Sequence, residues 1–332
     1  MTKFKDTDYL YATARLRCLE NQMLGSRELQ KMIDARTMEE AFKVLGEAGI
    51  GLNHSPEDYE QGLTESLKES YRLVEQLSPQ KGIAELFRYR YDGHNLKAII
   101  KSRLVEGGYD QICVDLGNLP PQELAGLLER GDMDGLHPLI GRAALEAQEA
   151  LAKTSDPQLV DIIIDRGVLE AMGRRAAEYD SEFLNRLVTA QIDIANIRAA
   201  VRLQRMGKDA FFLRRVLAEG GRVETSRLIE AFGRGLDEIL ALLASSDYHT
   251  ALEPAYDALR AGGGLTAFER LCDNCILGLL AKSKLIAFGI EPLISYLYGK
   301  ESEIKAARIV LASKAAGVSA QQITERLRDA YA

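Results

Sequence analysis

A short pattern that occurs three times in this 332-residue chain constrains its fold more than any other feature. In each copy a polar residue is followed by an apolar residue and then by a base. The copies are Asn95-Leu96-Lys97, Asn196-Ile197-Arg198 and Glu303-Ile304-Lys305. Their aligned first positions are 101 and 107 residues apart (196 − 95 and 303 − 196). A recurrence of this kind predicts that one supersecondary unit is used three times.

Pairs of acids four residues apart form a second landmark upstream of each copy. They are Glu65 and Glu69, Asp161 and Asp165, and Glu269 and Asp273. The second acid precedes the aligned polar residue by 26, 31 and 30 residues (95 − 69, 196 − 165 and 303 − 273). Two landmarks at a nearly constant separation favour a true repeat. We therefore predict a first helical repeat with an N-terminal helix over 1–110, a second over 111–210, and a third with a C-terminal helix over 211–332.

Amino-acid usage predicts helices almost throughout the chain. A hydrophobic content of 46% is ordinary for a soluble globular protein and provides a sizeable core. Only eight prolines are present, while Ala, Leu, Glu and Arg, which favour helices, are abundant. Alternating runs of Val, Ile or Thr, which would indicate strands, are scarce. The predicted fold class is all-α.

The charge of the chain limits its main partners. A net charge of −7 argues against nucleic acid or an anionic lipid surface as the principal partner. Basic pairs such as Arg174-Arg175 and Arg214-Arg215 are interpreted as solvated helix faces. The most apolar stretch, 275–290, is interrupted by Lys282 and Lys284 and is shorter than the roughly 18 residues of a spanning helix. The polar start has no export signal, so we expect a soluble protein without direct membrane insertion.

Several side chains predict where helices begin. Thr37 and Glu40 form a capping box, in which each side chain accepts from a backbone amide at the helix start. Ser55-Pro56 precedes a long helix that is predicted to end near Gln76. The first helix is predicted over 9–24 and the last over 323–331.

Residue patterns for catalysis or metal binding are missing. Cys272 and Cys275 have the spacing of half a zinc site, but no second pair completes it. The acid pairs would suit a di-metal bundle, which also requires a Glu-x-x-His motif that the chain lacks. We favour ion pairing of these acids with bases on neighbouring turns. No nucleophile, general base, cofactor site or metal site is nominated.

The recurring asparagines, Asn95 and Asn196, allow two interpretations. Asn is unfavourable inside a helix but is common at a helix start, so these residues would begin the repeated helices. Alternatively, they bridge helices between repeats. The sequence alone leaves both open.

Longer stretches resemble the C subunit of the archaeal- and bacterial-type rotary V/A-ATPases, the relative of the d subunit of eukaryotic V-ATPases. The stretches, in order, are 14–20, 193–198, 268–274, 287–294, 296–305 and 323–328. Ser302-Glu303 departs from the Asn-Glu expected there, and 104–155 matches weakly. The resemblance otherwise runs nearly from end to end.

This resemblance implies a fold and a role. The fold would be three similar helical subdomains around a pseudo-threefold axis, a funnel with a central cavity. The role would be a non-catalytic rotor subunit of the central stalk, on the cytoplasmic face of the membrane, that joins shaft subunits of the D and F type to the proteolipid ring. It would transmit torque between ATP turnover and proton or sodium translocation. The residues expected to line or support the cavity or partner interface are Asn95, Lys97, Asn196, Arg198, Glu303 and Lys305.

Two other classes of function are alternatives to the rotor. The first is a helical-repeat scaffold for soluble protein partners, but solenoid repeats usually span about 20–50 residues, less than the units found here. The second, an α-helical hydrolase or lyase, would need an acidic or histidine-rich pocket that the sequence does not indicate.

Overall fold

The computed structural model describes residues 4–104, 108–242, 248–262 and 264–328. Over these residues the chain forms α-helices, short 3-10 segments and turns, with no strand. The predicted all-α class is therefore confirmed. None of the described helices combines the length and the apolar character needed to cross a bilayer. The predicted division at 110 and 210 into three repeats stays a prediction.

The described helices, in chain order, have the following bounds. They are α1 (Leu10–Glu20), α2 (Ser26–Asp34), α3 (Met38–Glu47), α4 (Tyr59–Leu77), α5 (Ile83–Lys101), α6 (Pro121–Arg130), α7 (Pro138–Thr154), α8 (Pro157–Ala176), α9 (Glu182–Arg205), α10 (Ala210–Val216), α11 (Thr225–Arg234), α12 (Leu236–Ala241), α13 (His249–Arg260), α14 (Leu265–Ala281), α15 (Glu291–Ala315) and α16 (Ala320–Arg326). Short 3-10 segments precede α1 and α4 and follow α5 and α14.

Helix starts follow the capping residues of the sequence. Thr37 Oγ1 accepts a hydrogen bond from the Glu40 amide at 3.2 Å, while the Glu40 carboxylate accepts from the Arg36 amide at 2.8 Å. The carboxylate of the predicted capping box therefore reaches one residue further back than expected. Asp156 Oδ1 accepts from the Gln158 amide at 2.9 Å and begins α8.

Three predicted boundaries change. The first helix divides into a 3-10 turn, Asp6–Tyr9, and α1, which ends at Glu20. The long helix expected after Pro56 is likewise preceded by a 3-10 turn, and α4 ends at Leu77, close to the predicted end. The last helix begins earlier than predicted and ends at Arg326, while the predicted residues from 329 onward lie outside the described chain.

The chain divides into two compact units: Met1–Ala84 with Gly262–Ala332, and Glu85–Ala261. In the first unit, α15 packs against α1, α2, α3, α4 and α16. Leu293, Leu297 and Val310 on this helix are fully buried. A helix that is buried on several sides does not have the single polar face of a surface helix. We therefore regard α15 as the central helix of this unit.

In the second unit, α8 packs between α7 and α9. The approach of α7 and α8 is close at Gly167, where an added Cβ would lie 2.5 Å from the Cβ of Ala143. Gly93 on α5 permits a similar approach, because a Cβ there would lie 2.6 Å from a methyl carbon of Val168. Both glycines therefore allow helices to pack more tightly than an alanine would.

Candidate functional site

The aligned polar residues of the three-fold pattern lie in the middle of the long helices α5, α9 and α15, and all three are buried. Asn95 is 0% exposed, Asn196 3% and Glu303 5%. Because α5 begins at Ile83 and α9 at Glu182, the interpretation of the asparagines as helix starts is wrong.

Each buried asparagine pairs with both backbone groups of one loop residue. Asn95 Nδ2 donates to the Val114 carbonyl oxygen at 2.8 Å, and its Oδ1 accepts from the Val114 amide at 2.9 Å. Asn196 makes the same two bonds with Ala218, at 2.8 and 2.9 Å. A side-chain amide supplies a donor and an acceptor together. The asparagines thus join each long helix to the loop that follows it.

An aspartate one turn before Asn95 holds the next part of the same loop. Asp92 is fully buried, and its Oδ1 accepts from the amides of Asn118 at 2.7 Å and Leu119 at 3.4 Å. Its Oδ2 accepts from the Asn118 side-chain amide at 2.7 Å. Burial raises the pKa of Asp92, against the opposing effect of these hydrogen bonds. A Cβ on Gly117 would lie 2.4 Å from Oδ1, so glycine leaves room for the carboxylate.

Asp193 has the corresponding place in the second copy. It is fully buried, and its Oδ1 accepts from the Val223 amide at 2.9 Å. The Tyr248 hydroxyl donates to Oδ2 at 3.1 Å. Burial raises the pKa of Asp193 too, and a Cβ on Gly221 would lie 2.3 Å from Oδ1. An acid and a glycine therefore recur together in the two copies.

The third copy uses one residue for this task. Glu303 Oε1 accepts from the Leu24 amide at 2.7 Å, and its other carboxylate oxygen is ion-paired with the Lys300 ammonium group. Lys300 occupies the position three residues before the aligned polar residue, where the first two copies have aspartate. The longer glutamate side chain reaches the loop from one turn further along the helix.

The three acids hold equivalent amides. Leu119 lies two residues before the start of α6, Val223 two residues before α11, and Leu24 two residues before α2. We call these three contacts the loop clamps: Asp92 on Asn118 and Leu119, Asp193 on Val223, and Glu303 on Leu24. The N-terminal segment before α2 therefore contacts α15 in the same way as the loop after α5 contacts α5 and the loop after α9 contacts α9.

The bases of the pattern lie nearer the surface than the clamps. Lys97 Nζ lies 2.6 Å from Asp165 Oδ1, and Lys305 Nζ lies 3.8 Å from Asp273 Oδ2. Arg198 is half-buried on α9. Asp165 thus pairs with a base on another helix and not with the expected base on a neighbouring turn, while Asp273 also lies 2.9 Å from Arg328 Nε. Exposed pairs of this kind contribute about 0–1 kcal/mol each.

The acid pairs do not assemble a metal site in the described part of the chain. There, no three His, Cys, Asp or Glu side chains come together in a group that would hold a metal ion. Glu65 instead lies 3.0 Å from His54 Nε2, and Asp161 lies 2.7 Å from Lys101 Nζ. A hydrogen bond with His54 and an ion pair with Lys101 therefore account for Glu65 and Asp161.

The spaced cysteines are buried side chains of α14. Cys272 and Cys275 are free thiols, and burial raises the pKa of Cys275 to about 11. A protonated thiol is a poor nucleophile and a poor metal ligand. The packing of α14 explains their presence.

The first unit contains a cleft of about 460 Å³. Its polar lining includes Gln22, Ser66, Glu69, Ser70, Arg72, Gln76, Tyr296 and Lys300. Burial raises the pKa of Tyr296 to about 12, so the phenol remains protonated at neutral pH. This lining offers hydrogen bonds and the charges of Glu69, Arg72 and Lys300.

Comparison with known proteins places the chain in a family. The model of the ATP synthase (C/AC39) subunit matches residues 12–326. The chain belongs to this family. The match spans both units and includes all three loop clamps, from Leu24 to Glu303. The resemblance seen in the sequence is confirmed.

Individual family members are similar over nearly their whole length. They include the C subunit of the A-type ATP synthase of Halorubrum lacusprofundi (27% identical, 96% of this chain and 96% of the relative) and the C subunit of the V-type sodium ATPase of Enterococcus hirae (24%, 94% and 98%). The C subunit of the A-type ATP synthase of Methanocaldococcus jannaschii is 23% identical over 96% of this chain and 86% of its own. The family is that of the C subunit of V/A-type ATP synthases, an accessory and not a catalytic part of the complex.

Two of the three clamp acids were not predicted from the sequence. Asp92 and Asp193 were missed as functional side chains, although each stands three residues before a recurring asparagine. That shared spacing was the available signal. Glu303 was aligned with the asparagines, whereas its contact is that of the aspartates.

Proposed function

We propose that this protein is the rotor socket of a V/A-type ATP synthase, which couples the central shaft to the membrane proteolipid ring and transmits torque. The observation that supports this role most directly is the set of loop clamps. A part that transmits torque must resist displacement of its loops relative to its long helices. Each clamp joins a loop to a long helix through a buried acid, a connection that water does not weaken.

The strength of the clamps suits this mechanical task. A hydrogen bond to a charged group contributes about 1.5–3 kcal/mol, more than the roughly 1 kcal/mol of a neutral one. Asp92 accepts three bonds from this loop, which oppose the cost of burying its carboxylate, and Asn95 adds two neutral ones. The loop therefore moves with α5 as one body.

The proposed partners are shaft subunits of the D and F type and the proteolipid ring, with the protein peripheral on the cytoplasmic face of the membrane. The proposed overall form is a funnel of three similar helical parts around a central cavity. Within it, Asn95, Asn196 and Glu303 support the cavity from inside the helices, because they are buried. The remaining three candidates, the bases Lys97, Arg198 and Lys305, contact a partner; the Lys305 side chain is 60% exposed.

The decisive experiment is purification of a tagged copy from gently solubilised membranes of its host, with mass spectrometry of the proteins that accompany it. Recovery of shaft, ring and nucleotide-binding subunits in a stable proportion is expected. A protein that remains in the soluble fraction without them would overturn the rotor assignment and favour a scaffold for soluble partners.

A charge reversal tests the proposed contact role of the bases. We expect Lys305→Glu to lower the recovery of shaft or ring subunits, because it places an acid where a partner contact is proposed. Lys153→Glu, at an exposed position of α7, is the matched control. Equal recovery with both variants would remove Lys305 from the interface without affecting the rotor assignment.

A further inference from the structure

The end of α9, the turn that follows it and α10 are together strongly basic in an otherwise acidic chain. Its bases are Arg202, Arg205, Lys208, Arg214 and Arg215, and its one acid is Asp209. The segment 202–215 therefore carries +4 (five bases less one acid), whereas the whole chain carries −7. All five bases are exposed. We call this segment the basic corner.

Two large apolar side chains project from the basic corner. Phe211 is 73% exposed and Met206 is 51% exposed. Leu213 is fully buried and fixes α10 to the second unit, so the exposure of Phe211 results from its position on the helix and not from a loose segment. Exposed apolar side chains among bases are a feature of interaction surfaces.

The acid of the corner has a structural task. Asp209 Oδ1 accepts from the Phe212 amide at 2.8 Å and begins α10. Lys208 Nζ lies 5.5 Å from the centroid of the Phe212 ring, a distance that permits a cation–π contact. The Phe212 backbone and ring are thus held beside Asp209 and Lys208.

We propose that the basic corner is a docking surface for anionic lipid headgroups. A guanidinium group can donate two hydrogen bonds to the oxygens of one phosphate, and each base near an anionic membrane adds to the attraction. Phenylalanine and methionine insert readily at the boundary between headgroups and acyl chains. This role replaces the interpretation of Arg214-Arg215 as only a solvated face.

The size and the charge of the corner favour a lipid surface over a protein partner. A stable protein interface buries about 800 Å² on each side, more than a single turn and a seven-residue helix supply. A membrane needs no such complementary shape. Since the rest of the chain is acidic and is repelled by anionic lipid, the corner would also fix the orientation of the protein on the surface.

Vesicle sedimentation with the full-length isolated protein tests the proposal. We expect binding to vesicles of phosphatidylcholine with about a third phosphatidylglycerol at about 0.1 M salt, and little binding to phosphatidylcholine alone. The triple variant K208Q/R214Q/R215Q should bind about a hundredfold more weakly, at about fivefold for each base. The matched triple R130Q/R142Q/K153Q removes the same charge from α6 and α7 and should bind within about twofold of the wild type.

The apolar contribution is tested without a change of charge. Phe211→Ser should weaken binding about tenfold, whereas Leu145→Ser, at a 39% exposed position of α7, should not. Thermal unfolding of every variant at the wild-type temperature shows that the fold is intact.

Three results would overturn the lipid proposal. The first is failure of the wild type to bind anionic vesicles, and the second is equal binding of the two triple variants. The third is that the K208Q/R214Q/R215Q variant no longer co-purifies with the ATP synthase, while the isolated wild-type protein does not bind vesicles. The last result would identify a protein component of the complex as the occupant. The rotor assignment does not depend on these outcomes, because the vesicle assay uses the isolated chain.

Discussion

Removal of the Glu303 carboxylate tests the clamp that joins the N-terminal segment to α15. The Glu303 side chain is 2% exposed and that of its partner Lys300 is 12% exposed. In Glu303→Ala the buried Leu24 amide loses its acceptor and the lysine keeps an uncompensated charge. Breaking a buried ion pair from one side costs about 3–5 kcal/mol, and we expect a loss in this range.

Glu303→Gln separates the hydrogen bond from the charge. The glutamine side chain retains an oxygen for the Leu24 amide but does not neutralise Lys300. The expected loss is about 1–3 kcal/mol, the cost of a bond to a charged group. Adding Lys300→Met to Glu303→Gln should recover part of that loss, because the double variant no longer buries an unpaired charge.

Amide hydrogen exchange at Leu24 is the most direct assay. A chain with two compact units need not unfold in one step, whereas exchange reports local opening. Protection of the Leu24 amide should fall by at least a hundredfold in Glu303→Ala, in line with a loss of about 3 kcal/mol or more. It should fall by less in Glu303→Gln, in line with a loss of about 1–3 kcal/mol. The matched control is Glu325→Ala, an exposed acid on α16. Unchanged Leu24 protection in Glu303→Ala would refute the clamp.

The remaining predictions concern packing, protonation and surface charge. Gly167→Ala should destabilise the second unit by about 1–3 kcal/mol in urea unfolding, because the new Cβ would meet Ala143 at 2.5 Å; a smaller loss would show that the helices separate at little cost. The pKa of Asp193 is raised in the folded state, so its contribution to stability is full below the ordinary aspartate pKa and is lost as pH rises through the raised value. Asp193→Asn should therefore gain stability relative to the wild type as pH rises over that interval, and parallel curves would contradict the burial effect. Lys97→Met should change the free energy of unfolding by no more than about 1 kcal/mol, because the side chain of its partner Asp165 is 60% exposed. A loss of several kcal/mol would show that solvent does not screen this ion pair.

The sequence predicted the class of the fold and the end of α4 because those depend on local patterns. Caps such as Thr37 and Asp156 act within one turn, and their residues are adjacent in the chain. The three-fold pattern correctly located a recurring polar position on α5, α9 and α15. The pattern did not predict that these polar residues are buried. In a sequence, a polar residue inside a helix looks the same whether its side chain faces water or a loop.

The clamps were hidden for a further physical reason. Glu303 and Leu24 are separated by 279 residues, and no local pattern relates positions that far apart. Alignment on the asparagines matches Glu303 with Asn95 and Asn196 and not with the aspartates. The reason is that the third copy has Lys300 in place of the aspartate and carries its acid one turn further along the helix. Only the contact with the backbone amide shows which acids are equivalent.

The displaced acid of the third copy changes how that clamp responds to charge. Asp92 and Asp193 hold their loops as buried acids whose pKa is raised by burial and whose hydrogen-bond donors are neutral or backbone groups. Glu303 is instead ion-paired with the Lys300 ammonium group. As pH falls, the first two clamps lose a charge that burial disfavours, so protonation relieves a burial cost there. The third clamp instead rests on the attraction between two buried charges, so removal of either charge leaves the other uncompensated. The junction between the N-terminal segment and α15 is therefore the one clamp of the three that depends on a charged partner.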